Sequence, residues 1–410
     1  MLPVAEARAR ILAAFAPLGS ELVGLEAALG RVLAAPVSAR LTQPAKAVSA
    51  MDGYAVRSAD LLDKGITTSG VTLKVAFEVA AGHAPARALA AGEAARIFTG
   101  AILPDAADSI VIQENSSATS DGIIRLVDER FRSGQHVRAA GLDFKTGDLG
   151  LAPGSCLTAR DIGLAAAMNW PWLTVARRPR IAVLSTGDEL VNPGEQLTPG
   201  KIMASNGFAI TALLKASGAE VINLGNAPDD ESQLAAMIDT ARGADLLVTI
   251  GGASVGDHDL VQKVLKQQGV ALDFWKIAMR PGKPVMFGRL GDLRVIGLPG
   301  NPTSALVTSL LFVRPAIAAM LGQKADEIID HALLGRDLGA NDQRQDYLRA
   351  SLHRNSEGKE IATPFPIQDS SMVSLLARAD ALVIRPPHAP AIQAGDQIDI
   401  IRLSGGAISI

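Results

Sequence analysis

The sequence lacks the means to build a disulfide framework. Its 410 residues include one cysteine, Cys156, so no internal pair can form and an oxidising-compartment scaffold is excluded. A lone thiol of this kind is expected to be a small buried hydrophobe. Aromatic residues are scarce, at 4%, which leaves Ala, Leu and Val to fill the core. An excess of either charge is also missing. The 39 Lys and Arg against 42 Asp and Glu leave a net charge of −3, which argues against a general nucleic-acid binder. Long apolar runs are expected to be absent too. The stretch 162–176 is broken by Asn169 and Pro171, and no segment is read as reaching the roughly 18–20 apolar residues of a membrane span. The opening residues Met1 to Arg10 mix apolar and charged side chains at helical spacing, as an amphipathic helix does and a signal peptide does not. The expectation is a cytoplasmic protein with no membrane partner.

What is present is enough for a large core: 48% hydrophobic and 20% charged residues over a length that suits two to four domains. Residues 1–45 read as mostly helical. Residues 46–137 hold short alternating runs (71–77, 109–113, 123–127) separated by Gly and Asp turns, which predicts a small β-rich domain. Residues 138–176 are punctuated by glycine and then helical over 159–168, and Arg177-Arg-Pro-Arg180 reads as a boundary. From 181 to 325 strand-like runs such as 246–250 alternate with helix-like ones such as 260–267, the signature of βαβ units and a parallel sheet covered on both faces. After 330 the pattern turns to strands again, over 380–385 and 396–401.

Chemistry-bearing residues follow the strands of the α/β block. The first strand runs into Ser185-Thr186-Gly187-Asp188-Glu189, and a second leads to Asp229. A third runs into Gly251-Gly252-Ala-Ser254-Val-Gly256-Asp257-His258-Asp259, and a fourth into Pro299-Gly-Asn-Pro302. In a doubly wound sheet these loops converge outside the carboxyl ends of the strands. Glycines there admit an anion to backbone N–H groups, and helix N-termini add positive partial charge. Glu189, Asp229 and Asp259 beside such loops make chemical sense if a hard cation such as Mg2+ bridges them to ligand oxygens. Helix capping is the alternative for any one of them. His258 reads as a loop residue and not a ligand.

Lys276, Arg280 and Lys283 surround a Pro-Gly turn. That arrangement suits a phosphate, pyrophosphate or oxyanion, with Arg280 able to bind in a bidentate way; a solvated basic turn is the alternative. Asp52-Gly53 is a turn signal where no regular strand is comfortable, and Thr99 looks like a plain strand end.

Taken in order, these pieces resemble the molybdopterin molybdenumtransferases: the MoeA family and the E domain of gephyrin-like proteins. The resemblance rests on Ser49-Ala-Met-Asp52-Gly-Tyr-Ala, Arg96-Ile-Phe-Thr99-Gly-Ala, Val137-Arg138-Ala-Ala-Gly141-Leu-Asp143 and Ser185-Thr-Gly-Asp-Glu189-Leu. It continues through the Gly251–Asp259 loop, Lys276, Arg280-Pro-Gly-Lys283-Pro, Leu298-Pro-Gly-Asn-Pro302, and Ser370-Ser371 through Ala377-Arg378. It covers nearly the whole chain.

The resemblance implies a multidomain α/β subunit. An N-terminal helical or linker domain would comprise 1–45 and 138–176, with a small β-rich domain over 46–137. A central doubly wound parallel-sheet pterin-binding domain, similar to the MoaB and Mog proteins, would span 177–328, and a β-barrel-like domain 329–410. It also implies a homodimer, in which Asp52 and Thr99 face Glu189, Asp229 and Asp259 across the interface. The substrates would be adenylylated molybdopterin and molybdate, with Mg2+ as cofactor and AMP released.

By the same resemblance Glu189, Asp229 and Asp259 hold the metal or orient water, and Asp52, Thr99, Asp143 and Arg138 complete the site. Ser185, Thr186, Gly187, Asp188, Gly251, Gly252, Ser254, Gly256, Pro299, Pro302 and Ser371 line it. Lys276, Arg280 and Lys283 bind the pterin phosphate or the oxyanion. Further implied partners are the adenylyltransferase that makes the substrate and the recipient molybdoenzymes. Ala139 and Ala140 stand where relatives often carry basic residues. Two rival readings are an adenylyltransferase, which is usually a short α/β chain without the flanking blocks, and a gephyrin-like scaffold, which an intact carboxylate set disfavours.

Overall fold

The computed structural model describes residues 1–120, 122–252, 260–274, 276–325 and 329–403. The chain forms two compact units. The larger comprises Met1–Ala35, Pro153–Ile162 and Trp172–Ile410, and the smaller Pro36–Ala152 with Gly163–Pro171. Residues 177–180 therefore lie inside the larger unit, where the Arg177 guanidinium donates to both carboxylate oxygens of Asp245 at 2.8 and 3.0 Å.

The core of the larger unit is a six-stranded sheet. Its strands are β1 (Arg180–Thr186), β2 (Glu220–Ala227), β3 (Leu246–Ile250), β4 (Ala271–Phe274), β5 (Met286–Leu290) and β6 (Leu293–Leu298), in the spatial order β2-β1-β3-β6-β5-β4. The first four in that order are parallel, whereas β5 and β4 close the edge antiparallel. The sheet is thus mixed where a parallel one was expected.

Alternation along β1 explains why both faces must be covered. Ile181 and Val183 belong to one buried cluster, and Ala182 and Leu184 to another. On the first face pack Ile210 and Leu214 of helix α1 (Asn206–Ala216). On the second pack Leu234 and Ile238 of α2 (Glu231–Thr240) and Val261, Val264 and Leu265 of α3 (Leu260–Gln267). Each such side chain is withdrawn almost wholly from water, worth roughly 1.5–3 kcal/mol relative to exposure.

The helix that follows β6 begins as α4 (Pro302–Thr308), widens through Ser309–Val313 and continues over Arg314–Met320. By length and composition Pro302–Met320 could cross a membrane, with mean hydropathy 1.5 over its most apolar window, and it corrects the expectation that no segment would qualify. Two thirds of that window is buried, with Leu311, Phe312, Ile317 and Met320 in the first-face cluster. Its apolarity serves the protein's own core.

The expected helical character of 1–45 holds only for Val4–Ala13, whose Val4, Ala7 and Ile11 join the same core, and for a single 3-10 turn at Leu25–Ala27. After Pro17 and Gly19 the strand Ser20–Gly24 pairs antiparallel with Trp172–Ala176. Cys156 is exposed, contrary to expectation; its backbone bridges Val32 at the rim of this region.

Residues 330–402 form a closed barrel. Gln345–Arg354 pairs with Glu360–Pro364, which pairs with Asp330–Leu334, then Gln397–Arg402, then Ala381–Arg385, which returns to Gln345–Arg354. Met279–Arg280 adds to it as a parallel rung beside Gln345 and Asp346.

The smaller unit is built on a second six-stranded sheet that includes Gly53–Val56, Val71–Val79, Glu93–Ile97, Ser109–Ile112 and Ile123–Leu126. Gly53 begins a strand rather than a turn, a correction to the Asp-Gly reading. The strands approach so closely there that a Cβ would stand 2.1 Å from the Val111 carbonyl oxygen.

Candidate active site

The carboxyl ends of the parallel strands meet at one edge of the mixed sheet. Register aligns Thr186 with Ala227, Ser185 with Ile250, and Ile250 with Leu298. The chain passes from β1 to β2 on one side and then crosses to β3 on the other, so the topological switch point lies between β1 and β3. Gly251 sits there with φ +92°, and a Cβ would meet the Thr186 carbonyl at 2.8 Å. Its N–H donates to the Leu298 carbonyl at 3.1 Å, and the Cβ position of Gly300 lies 3.7 Å from the Gly251 Cα. The loops carrying Thr186–Gly187, Gly251–Gly252 and Pro299–Pro302 therefore do come together.

The carboxylates stand beside them. Asp188 accepts from the Asp229 N–H at 3.0 Å, and the Asp188 N–H points at the Asp229 carboxylate at 3.5 Å. The Glu189 carboxylate folds over Gly187, in the space a side chain there would fill. Asp188, Glu189 and Asp229 are all exposed. Among the described residues no group of three His, Cys, Asp or Glu side chains is placed to hold a metal ion. Asp259, Ser254 and Gly256 lie outside the described residues.

The basic turn is at the same edge of the sheet. β4 ends at Phe274 opposite Phe287, and β5 begins at Met286 opposite Gly297, near the carboxyl end of β6. Lys276 and Lys283 hence leave and re-enter the sheet where the parallel strands finish, joined by the Ile277 N–H to the Lys283 carbonyl at 3.0 Å. At about 4.8 Å per strand, β4 is roughly 14 Å from β3. Arg280, expected to bind an oxyanion in a bidentate way, already has carboxylate partners within the protein. Its guanidinium bonds Asp346, a residue 4% exposed, and Asp342 at 3.4 Å.

The Pro299–Pro302 loop is braced by several neighbours, of which sequence reasoning passed over Asn206 and Arg349. Asn206 donates to the Gly300 carbonyl at 2.6 Å, and its place at the start of α1 after Ser205 was the available signal. Asn301 donates to Ser370 Oγ at 2.9 Å, and the Thr303 N–H to the Ser370 carbonyl at 3.1 Å. Ser371, next in sequence, turns to the Asp369 carboxylate. Arg349, 1% exposed, reaches Gln368 and Thr303 beneath this contact.

In the smaller unit three distant segments meet at buried Ser49. Its N–H donates to Ala101 and its carbonyl accepts from Gly100, while Val137–Arg138 pairs alongside Val48–Ser49. Asp52 and Thr99 are joined here: the Thr99 N–H and hydroxyl each donate to Asp52 Oδ1 at 2.8 Å. Those two bonds, helped less by nearby Arg96, hold the Asp52 carboxyl below its ordinary range. Arg138 and Asp143 are exposed; the Asp143 N–H donates to the Gln43 carbonyl.

A three-layer α/β domain with glycine loops meeting at its switch point, flanked by carboxylates and lysines, defines a protein of the class that cradles an anionic ligand at strand ends. The MoeA N-terminal region (domains I and II) matches residues 2–169, the "Probable molybdopterin binding domain" residues 182–319, and the MoeA C-terminal region (domain IV) residues 331–403. A molybdopterin molybdenumtransferase of Haemophilus influenzae is 35% identical over 404 residues, with 98% of each chain covered. One from a Nostoc species is 36% identical, over 94% of this chain and 89% of the relative. The crystal structure of a MoeA protein from Pyrococcus horikosii superposes with a TM-score of 0.86 at 32% identity, covering 99% of this chain and 100% of that one. The chain belongs to the MoeA family of molybdopterin molybdenumtransferases, and is an enzyme of the transferase class.

Proposed function

We propose that the protein inserts molybdenum from molybdate into adenylylated molybdopterin, with Mg2+-dependent release of AMP, as a cytoplasmic homodimer. The observation that carries this reading is the approach of Gly251 to both Thr186 and Gly300 at the switch point, with Asp188, Glu189 and Asp229 beside it. Backbone unobstructed by side chains accepts a phosphate-bearing ligand closely. Ser185, Thr186, Gly187, Asp188, Gly251, Gly252, Pro299 and Pro302 would line the bound nucleotide, with Ser254 and Gly256 extending that wall.

Glu189 and Asp229, with Asp259, would hold Mg2+. Exposed carboxylate oxygens are the hard donors this ion takes, together with substrate phosphate oxygens and water. When bound, the ion would offset charge on the phosphoanhydride as it breaks. Lys276 and Lys283 would receive the molybdate dianion, which must shed water close to a second anion. Arg280 would add the N–H groups that its carboxylate partners leave over, and Ser371 a hydroxyl. Asp52, kept ionised by Thr99, would accept a proton from the attacking water, and Arg138 and Asp143 would complete the site in the dimer.

The test is AMP release from adenylylated molybdopterin in the presence of molybdate and Mg2+, paired with reconstitution of a cofactor-free molybdoenzyme. Asp52→Ala and Glu189→Ala should each abolish both signals while the protein stays folded and dimeric by light scattering. Near-normal turnover in both variants removes the site assignment. Efficient formation of adenylylated pterin from ATP and metal-free molybdopterin would replace the reading with the adenylyltransferase one.

A further inference from the structure

The smaller unit carries an arginine whose surroundings are more elaborate than a surface cation requires. The Arg96 guanidinium lies 5.1 Å from the ring centroid of Tyr54 and 4.9 Å from that of Phe98. It also donates to the Gly53 carbonyl at 3.1 Å and to the Gln113 side-chain oxygen. Gly53 is the residue after Asp52, and Phe98 the residue before Thr99. Register places Tyr54 opposite Arg96 and Gly53 opposite Ile97 on neighbouring antiparallel strands. One planar cation therefore holds both segments whose ends carry the Asp52–Thr99 pair.

We infer that Arg96 is a positioning residue for Asp52. Its contacts with Tyr54 and Phe98 fix the two strands against each other, and its bond to Gly53 sets the peptide that follows Asp52. This inference rests on the reading that Asp52 takes part in the reaction. A guanidinium is suited to the place because it is flat, permanently charged and carries donors in a rigid fork. A lysine ammonium keeps the charge but cannot contact two rings face-on while donating along two fixed directions.

Arg96→Lys and Arg96→Ala should each lower the rate of AMP release at saturating adenylylated molybdopterin at least tenfold, with KM changed less than threefold. Methylguanidinium added at millimolar concentration should restore Arg96→Ala severalfold, and methylammonium should not. Thermal midpoints are read in parallel, and Arg96→Lys carries the test if the alanine variant does not fold. Turnover of both variants within twofold of the parent, with Asp52→Asn inactive, overturns the inference and leaves the site reading intact. So does a loss that tracks the fall in thermal midpoint and is not rescued by methylguanidinium. An active Asp52→Asn would instead remove the reading on which the inference stands.

Discussion

Gly53→Ala separates a strand residue from a turn residue. In a turn, alanine at this position costs well under 1 kcal/mol unless φ is positive, and Gly53 is not among the positive-φ glycines. In the sheet the new methyl would stand 2.1 Å from the Val111 carbonyl oxygen and 2.9 Å from the Ile112 Cα, about 0.9 Å inside the 3.0 Å closest approach of real Cβ atoms. Both obstacles are backbone, so no rotamer change relieves them, and the strand Gly53–Val56 must part from its edge neighbour Ser109–Ile112. Overpacking of this kind costs about 1–3 kcal/mol, and the absence of a flexible neighbour puts the change near ~3 kcal/mol. For a unit of this size that corresponds to a fall of roughly 10–15 °C in its unfolding transition. Because Arg96 bonds the Gly53 carbonyl, AMP release should fall with it. Calorimetry of parent and variant gives the answer. A transition within 2 °C of the parent would refute the close-approach argument.

Three further outcomes follow from the hydrogen-bond geometry. Thr99→Val removes the hydroxyl bond to Asp52. A carboxylate held below its ordinary range contributes above its unfolded pKa, about 3.9, and loses that contribution as pH falls through its lower folded value; the variant's acidic limb of activity should therefore move to higher pH, and an unmoved limb counts against the assignment. Asp342, whose carboxyl is lowered to about 2 chiefly by hydrogen bonds from Arg344, should show that midpoint by carbon NMR titration and return toward about 3.9 in Arg344→Ala. Asp245→Ala breaks the paired bonds from Arg177 and a 2.7 Å bond from the Arg180 N–H; with Asp245 19% exposed and Arg177 35%, urea denaturation should register a loss of about 2 kcal/mol after solvent screening.

Local pattern made the α/β layer legible. The runs 246–250 and 260–267 coincide with β3 and α3, since a short apolar stretch ending at paired glycines, followed by helical periodicity, leaves little choice of structure. The convergence of the loops at Thr186, Gly251 and Gly300 followed from topology. The antiparallel edge β4–β5 was not legible, because a Pro-Gly turn between the two strands resembles any surface loop. Gly53 misled because the same residue serves turns and close strand contacts. Long-range pairing was hidden altogether. Arg280 and Asp346 are 66 residues apart, and nothing local marks the arginine as already engaged. Nor does spacing reveal that Arg96 would lie between Tyr54 and Phe98.

The shared rung at Met279–Arg280 makes the basic turn a belt running over two wheels. Its ends return to the α/β sheet through β4 and β5, while its middle travels with the barrel strand that begins at Gln345. A small tilt of the barrel would therefore drag the Arg280 fork relative to Lys283 and change the spacing of the cations without disturbing the glycine loops. Cut free of the barrel, the α/β layer would keep its cradle but carry Arg280 on a slack tether.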